Sequence, residues 1–545
     1  MTAARTVRHL ALLACLLALP AAAQEKASGT PPTAGETLYR KGVLPSGKPL
    51  RGEREAGIFV EGAAAACATC HRRSGLGTSE GRIIIPPVTG TYLFRPRGKQ
   101  LEDMDLRYVA GLNISREAHT EESLARSIRE GLSKHGRKLN YLMPRFADID
   151  AATMDSLIAY LKELSKPPYR GVTEDTLHLA TIITPDADPA AKKGMLDVLN
   201  QFVSDKNDFI KGGARPLRST TSGVAFRVTR RWRLHVWELT GPADGWEAQL
   251  RARLAAEPVL AAISGLGGGN WAPVHRFCEQ AALPCLFPNV ELPVVAEEDF
   301  YPMYFSKGVL LEAQLIAKRL EEQGDARPRR LVQLYRAGDI GEPAARALSA
   351  AAKEAGLAVA ERAIGSGERA LAEALQDLAA GDALALWLRP DDLRALPDAV
   401  PKTGAVFVSG LMGGLEHAPL PAAWRSVARL AYPADLPELR KFRMNFPLTW
   451  FKIRRIPVVA ERVQVDTYIA CGVVAEMLGE MLDSFVPDYL EERIESMLSY
   501  RTLTGNYPRL GLAQGQRFAS KGGYIARFTE AEGTRLVADG DWIVP

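Results

Sequence analysis

From residue 177 to residue 409 short apolar runs alternate with amphipathic segments, and this rhythm restricts the fold more than any other feature. Apolar runs at 177–183, 232–239, 259–264, 331–335, 357–364, 383–388 and 405–409 have strand length. Between them, 246–256, 272–282, 342–355, 369–379 and 390–398 have helical spacing. Asp188 with Pro189 starts a helix whose apolar face is Leu196, Leu199 and Val203. Such alternation predicts an α/β fold with parallel sheets. The chain has 545 residues, so about 150 residues per domain gives three or four compact units.

The first residues read differently. Arg5, Arg8 and His9 precede the apolar run 10–19, and Ala21-Ala22-Ala23 offers a cleavage site. Residues 1–23 are therefore expected to be a secretory signal peptide, and the mature protein periplasmic. The alternative is a lipoprotein anchored at Cys15, with an unusually short apolar region. No later run reaches the roughly 18 apolar residues of a membrane-spanning helix. The formal charge of +4 gives no reason to expect nucleic acid as a partner.

Cys67-Ala68-Thr69-Cys70-His71 is a C-x-x-C-H motif. Its two thiols can add to the vinyl groups of one haem c, and its imidazole can ligate the iron. Glycine-rich loop follows, then Ile83-Ile84-Ile85 stopped by Pro86 and Pro87. Thr120 and Asp150 read as helix N-caps, and Tyr141-Leu142-Met143-Pro144 lies between those helices. Together with a short helix ending at Gly42, residues 34–166 resemble a class I cytochrome c, an all-α fold. The resemblance implies Met143 as the sixth iron ligand. It also implies that the carbonyl of Pro86 or Pro87 accepts the proximal imidazole N–H. Met104, Met154, His119 and His135 are the rival ligands. The long spacing from Cys70 to Met143 leaves room for an inserted loop around 91–119. An axial methionine raises the potential, and a six-coordinate iron favours electron transfer over chemistry at the metal. Arg72, Arg73, Arg82, Arg137, Lys138 and Arg145 either steer an acidic redox partner or form a solvated surface.

Residues 167–176 read as a Pro- and Gly-containing linker. Residues 177–545 resemble the type I periplasmic binding proteins, in particular the branched-chain amino acid-binding group. The resemblance rests on Thr184-Pro185, Ile263-Ser264-Gly265, Leu283-Pro284, Phe287-Pro288, Gly341, Val465-Asp466-Thr467-Tyr468 and Asp541-Trp542. It implies two hinged α/β lobes with ligand in the cleft between them. Gly265-x-Gly267-x-x-Asn270 is not a dinucleotide fingerprint, because its last position is not glycine. The hydroxyls that hold a ligand carboxylate in amino acid-binding members are missing from this loop and the next. The remaining cleft candidates are Gly269, Asn270, Trp271, Asn289 and Val290. Backbone N–H groups there could hold an anion, the asparagines could donate, and Trp271 could stack. Cys278 and Cys285 form either a disulfide or two buried thiols, and Cys471 reads as core packing.

The chain is thus expected to be an exported c-type cytochrome with a fused solute-binding-like module. That module would bind a small molecule or dock a periplasmic redox partner, such as a quinoprotein dehydrogenase or another cytochrome. The alternative is a ligand sensor or ABC-type solute-binding protein whose cleft closure is coupled to the haem. An enzyme, with Met143 leaving the iron, is the third reading. No G-x-S-x-G or H-E-x-x-H motif supports it.

Overall fold

The computed structural model describes residues 31–545, except 81–82, 97–116, 212–229, 297, 325–326, 366–367, 482–483, 501–504 and 531. The expected signal segment, Cys15, Arg82, Met104 and most of the expected inserted loop lie outside the described residues. No helix among the described residues is long and apolar enough to cross a membrane.

The alternation builds two parallel sheets. In the first lobe β1 (Thr176–Ile183), β2 (Arg231–Glu238), β3 (Ala261–Ile263), β4 (Cys285–Leu286) and β5 (Pro302–Met303) lie in the order β2-β1-β3-β4-β5. In the second lobe β6 (Arg330–Arg336), β7 (Ala358–Ile364), β8 (Asp382–Trp387), β9 (Ala405–Ser409) and β10 (Ala428–Tyr432) repeat that order, β7-β6-β8-β9-β10. Two antiparallel strands, β11 (Tyr524–Phe528) and β12 (Leu536–Ala538), extend the second sheet. Helices cover both faces, so successive side chains of one strand enter different cores. In β6, Val332 and Leu334 join one cluster, while Leu331 and Tyr335 join the other.

The chain passes three times between the lobes. It leaves β5 for the helix Val309–Glu322 of the second lobe. It returns after β10 into the helices Pro437–Arg454, Glu461–Glu480 and Pro487–Tyr500, the last two packed on the first sheet. It crosses again between Ser520 and β11. These three helices were only partly legible: the sequence signalled a late helix at Val465 and nothing at 437–454 or 487–500.

Residues 34–163 fold as a small helical module with two short hairpins, Arg51–Glu53 with Phe59–Glu61 and Thr78–Glu80 with Ile83–Ile85. The helix Ala34–Lys41 crosses the helix Ala151–Glu163 at Gly35, whose N–H donates to Ser156 Oγ at 2.9 Å. A Cβ at Gly35 would run into the Ser156 carbonyl, so only glycine permits this approach. Leu38, Tyr39, Leu157, Ile158 and Leu161 fill the contact. Thr120 and Asp150 are N-caps, accepting from Ser123 N and Thr153 N. The helix beginning at Glu121 stops at Glu130, before Leu132, because Gly131 turns left-handed at φ 68°.

The linker is docked on the first lobe. The Arg170 guanidinium donates to the carbonyls of Val259, Ala281 and Ala282 at 3.1, 2.7 and 2.7 Å. The residues after the C-x-x-C-H motif do the same on the helix Pro487–Tyr500. Ser74 N and Oγ both donate to Glu492, at 2.9 and 2.6 Å. Arg72 pairs with Glu495, and Arg73 with Asp488 at 3.2 Å, its guanidinium 4.0 Å from the Phe300 ring centroid. The two modules therefore share one charged, largely buried seam.

Replacing Gly35 by valine should destabilise the helix crossing by about 2–3 kcal/mol. Calorimetry should resolve this as a lower unfolding temperature; an unchanged one would contradict the crossing.

Candidate functional site

Two sites stand out, one at the C-x-x-C-H turn and one between the lobes. The motif forms the single-turn helix Cys67–His71. One turn brings both thiols and the imidazole to the same end of the module. His71 is buried, and its Nδ1 lies 2.9 Å from Pro86 O. A carbonyl only accepts, so Nδ1 carries the proton and Nε2 holds the lone pair. Among the described residues Nε2 has no hydrogen-bond partner. Of the two prolines, geometry selects Pro86; Pro87 is buried beside it. Gly77, at φ 75°, allows the backbone of Ile85 and Pro86 to come this close. Burial lowers the His71 pKa, opposed by the Pro86 bond, so the ring is neutral at pH 7. Burial also pushes the Cys67 thiol up to about 12.

Met143 sits in a turn that closes with Met143 N to Asn140 O at 2.9 Å. The paired bonds between Arg145 and Glu53 fix this loop on the first hairpin, at 2.8 and 2.9 Å. Met143 and Cys67 pack on the same apolar cluster. Among the rivals, Met154 is core, His119 binds Ser123 and His135 is exposed. His71, the Cys67 and Cys70 thiols and the Met143 thioether are the groups that would hold a covalently attached haem, which would supply one-electron chemistry here. Of the basic residues, Arg72 and Arg73 are spent within the chain and Arg145 pairs with Glu53 at 3.0 Å. The first two are thus seam residues, not a free steering surface.

The interlobe cleft is lined by Asn289, Val290, Leu411, Pro433, Arg462 and Asp466, among others. It is nearly shut, with a cavity of about 20 Å³, room for about one water. Glu291 of the first lobe reaches Arg389 of the second at 2.8 Å, and Arg389 also clamps Asp339 at 2.9 and 3.0 Å. Arg462 holds the other oxygen of Glu291 at 3.2 Å. Asp466 is buried and accepts from Asn506 at 2.9 Å and Tyr507 at 3.3 Å. Desolvation pushes its carboxyl up to about 6, against the pull of Arg462.

The glycine-loop candidates need correction. Trp271 is 2 % exposed and cannot stack on a ligand. Its indole lies beneath the loop, where a Cβ on Gly265 or Gly267 would approach it to 2.7 or 2.6 Å. The glycines thus make room for the indole. Gly269 N already donates to Asp186 at 2.7 Å, and Gly268 N to the same carboxylate at 3.3 Å. Asn270 Oδ1 accepts from Ala272 N at 3.2 Å, just ahead of the following helix. Asn289 and Val290 are the two candidates on the cleft wall. The hydroxyls of Ser264 and Thr467 are also present, but they are buried, 2.7 Å apart, and receive Asn289 Nδ2 at 3.0 and 3.3 Å. Cys278 and Cys285 are buried neighbouring thiols, and Cys471 is buried.

Glu312 went unnoticed in the sequence, although a lone acid in the apolar run of its helix is the available signal. It is fully buried, accepts from Leu411 N at 2.7 Å and bonds Ser409. Desolvation pushes its carboxyl up to about 8. Among the described residues no group of three or more His, Cys, Asp or Glu could hold a further metal ion.

No family model matches the chain, and no curated protein matches it. Three of the solved structures to which the chain is similar are distant. The substrate-binding protein of an ABC transporter from Desulfitobacterium hafniense, in complex with Leu, is 15% identical, with 67% of this chain and 100% of that chain covered and a TM-score of 0.43. A periplasmic binding protein type 1 from Bordetella pertussis Tohama I is 14% identical over the same shares, with a TM-score of 0.45. A leucine binding protein from Thermotoga maritima MSB8 is 12% identical, with 68% and 99% covered and a TM-score of 0.43.

Two outcomes follow from the cleft. Arg389→Ala removes the pair that crosses between the lobes, so small-angle scattering should register a larger radius of gyration; an unchanged radius would contradict the latch. Glu312 binds its proton more tightly folded than free, where a glutamate titrates near ~4.3. Its contribution is present below about pH 4 and is lost as pH rises through about 8. Between pH 5 and 9 the wild type should therefore lose at most about 4 kcal/mol that Glu312→Gln does not lose. Denaturant titrations at both pH values measure the difference; parallel losses would contradict it.

Proposed function

We propose that this chain is an exported two-module protein, a c-type cytochrome fixed to a two-lobed binding module of the type I periplasmic kind. The observation that carries the haem reading is the His71–Pro86 bond. It leaves a neutral imidazole whose Nε2 holds the lone pair, one helical turn from two cysteines that form no disulfide. Cys67 and Cys70 would hold one haem c covalently, and His71 and Met143 would ligate its iron. Bound there, the haem supplies one-electron transfer. The chain's own residues set its orientation: Pro86 fixes the imidazole tautomer, and Glu53 with Arg145 positions the Met143 loop. Electrons would pass to or from a periplasmic redox protein, a quinoprotein dehydrogenase or another cytochrome.

A second reading makes the binding module primary, as a solute-binding protein or sensor whose closure the haem reports. A specific observation favours coupling. Asp466 lines the cleft from the helix Glu461–Glu480, which packs on the helix Pro487–Tyr500 that receives Arg72, Arg73 and Ser74.

Met143→Ala should retain covalent haem but lower the midpoint potential and abolish the Met–iron charge-transfer band. An unchanged potential and spectrum would reject Met143. A midpoint potential that shifts when the cleft is filled supports the coupled reading, and an unmoved one rejects coupling.

A further inference from the structure

The polar groups that could hold a ligand carboxylate in the cleft are already used by the chain itself. In the first lobe the N–H groups of Gly268 and Gly269 point at Asp186. In the second lobe Leu411 N–H and the Ser409 hydroxyl are taken by Glu312. The two cleft guanidiniums are committed as well: Arg389 to Asp339 and Glu291, Arg462 to Glu291. Three carboxylates (Glu291, Asp339 and Asp466) thus face two guanidiniums. A ligand carboxylate would enter an excess of negative charge.

What remains is acceptor capacity. Asn289 is 5 % exposed, its Nδ2 lies on the Ser264 and Thr467 hydroxyls, and its Oδ1 has no partner. A buried orphan acceptor on a cavity wall costs stability unless something donates to it. The Asp466 carboxylate lines the same cavity. Around them the wall is apolar, with Val290, Phe305, Leu411 and Pro433.

We propose that the cleft, when its lobes part from the shut arrangement, takes a small molecule with an apolar body and an O–H or N–H donor, and without a carboxylate. The donor meets Asn289 Oδ1 and the Asp466 side, and the body meets the apolar wall. An α-amino acid is rejected because its carboxylate meets that excess of negative charge, although its ammonium and side chain would be accepted. This rests on reading the cleft as a binding site.

Four probes with one apolar body test it by calorimetric titration of the full exported protein. They are leucine, 4-methylpentanoate, 3-methylbutan-1-amine and 3-methylbutan-1-ol. The amine and the alcohol should bind at least about tenfold more tightly than leucine and the acid, as expected for a site that leaves a charged group unpaired. Asn289→Leu should weaken the amine and the alcohol by about tenfold, with circular dichroism verifying that it folds. Leucine or 4-methylpentanoate binding as tightly as the alcohol would overturn the proposal while the cleft remains a binding site. Undiminished binding to Asn289→Leu would also overturn it. Binding of none of the four overturns it too. The binding reading falls with it only if native mass spectrometry of the same preparation finds no retained small molecule.

Discussion

The structure depends on burying the acidic face of one helix. Pro487–Tyr500 carries Asp488, Glu491, Glu492 and Glu495, all buried or nearly so. Carboxylates can be placed there only because cations arrive from elsewhere in the chain. Arg72 and Arg73 come from the loop that ends the C-x-x-C-H helix, and Arg517 from the segment leading to the last crossing between lobes. Ser74 adds two hydrogen bonds to Glu492. Removing one partner from such a seam costs about 3–5 kcal/mol, because the other charge stays buried. The seam therefore fixes the small module on the first lobe and, with it, the direction in which His71 faces.

The same principle operates in the cleft. Glu291, Arg389, Asp339 and Arg462 form a chain of charges that spans both lobes. It favours the shut arrangement and leaves little room. A ligand has to compete with these internal pairs or sit beside them on Asn289 and Asp466. Binding and closure then draw on one set of contacts, which is what a hinged module needs to respond to occupancy.

Much of this was legible in the sequence. The inner strands β1, β3, β6, β8 and β9 are buried on both faces, so their continuous apolar runs gave strand positions within a residue or two, whereas β5 and β10 were not signalled. The capping residues Thr120 and Asp150 and the terminator Gly42 act as their chemistry predicts. What was illegible depends on tertiary contact. Trp271 resembles an exposed stacking group until Gly265 and Gly267 bring the loop down over it. Arg72 and Arg73 resemble surface charge until the acidic helix, more than four hundred residues later, meets them. Asp186 filling the glycine loop, and Glu312 filling the second lobe's turn, leave no periodic mark in the chain.

The central claim is that one chain carries a covalent haem beside a binding cleft. Intact-mass spectrometry of the denatured, exported protein tests it most directly. The account predicts the mass of the mature polypeptide plus one haem, reduced to the bare polypeptide when Cys67 and Cys70 are both replaced by serine. A bare polypeptide from the wild-type protein, produced in a host that attaches haem to other C-x-x-C-H chains, would contradict it.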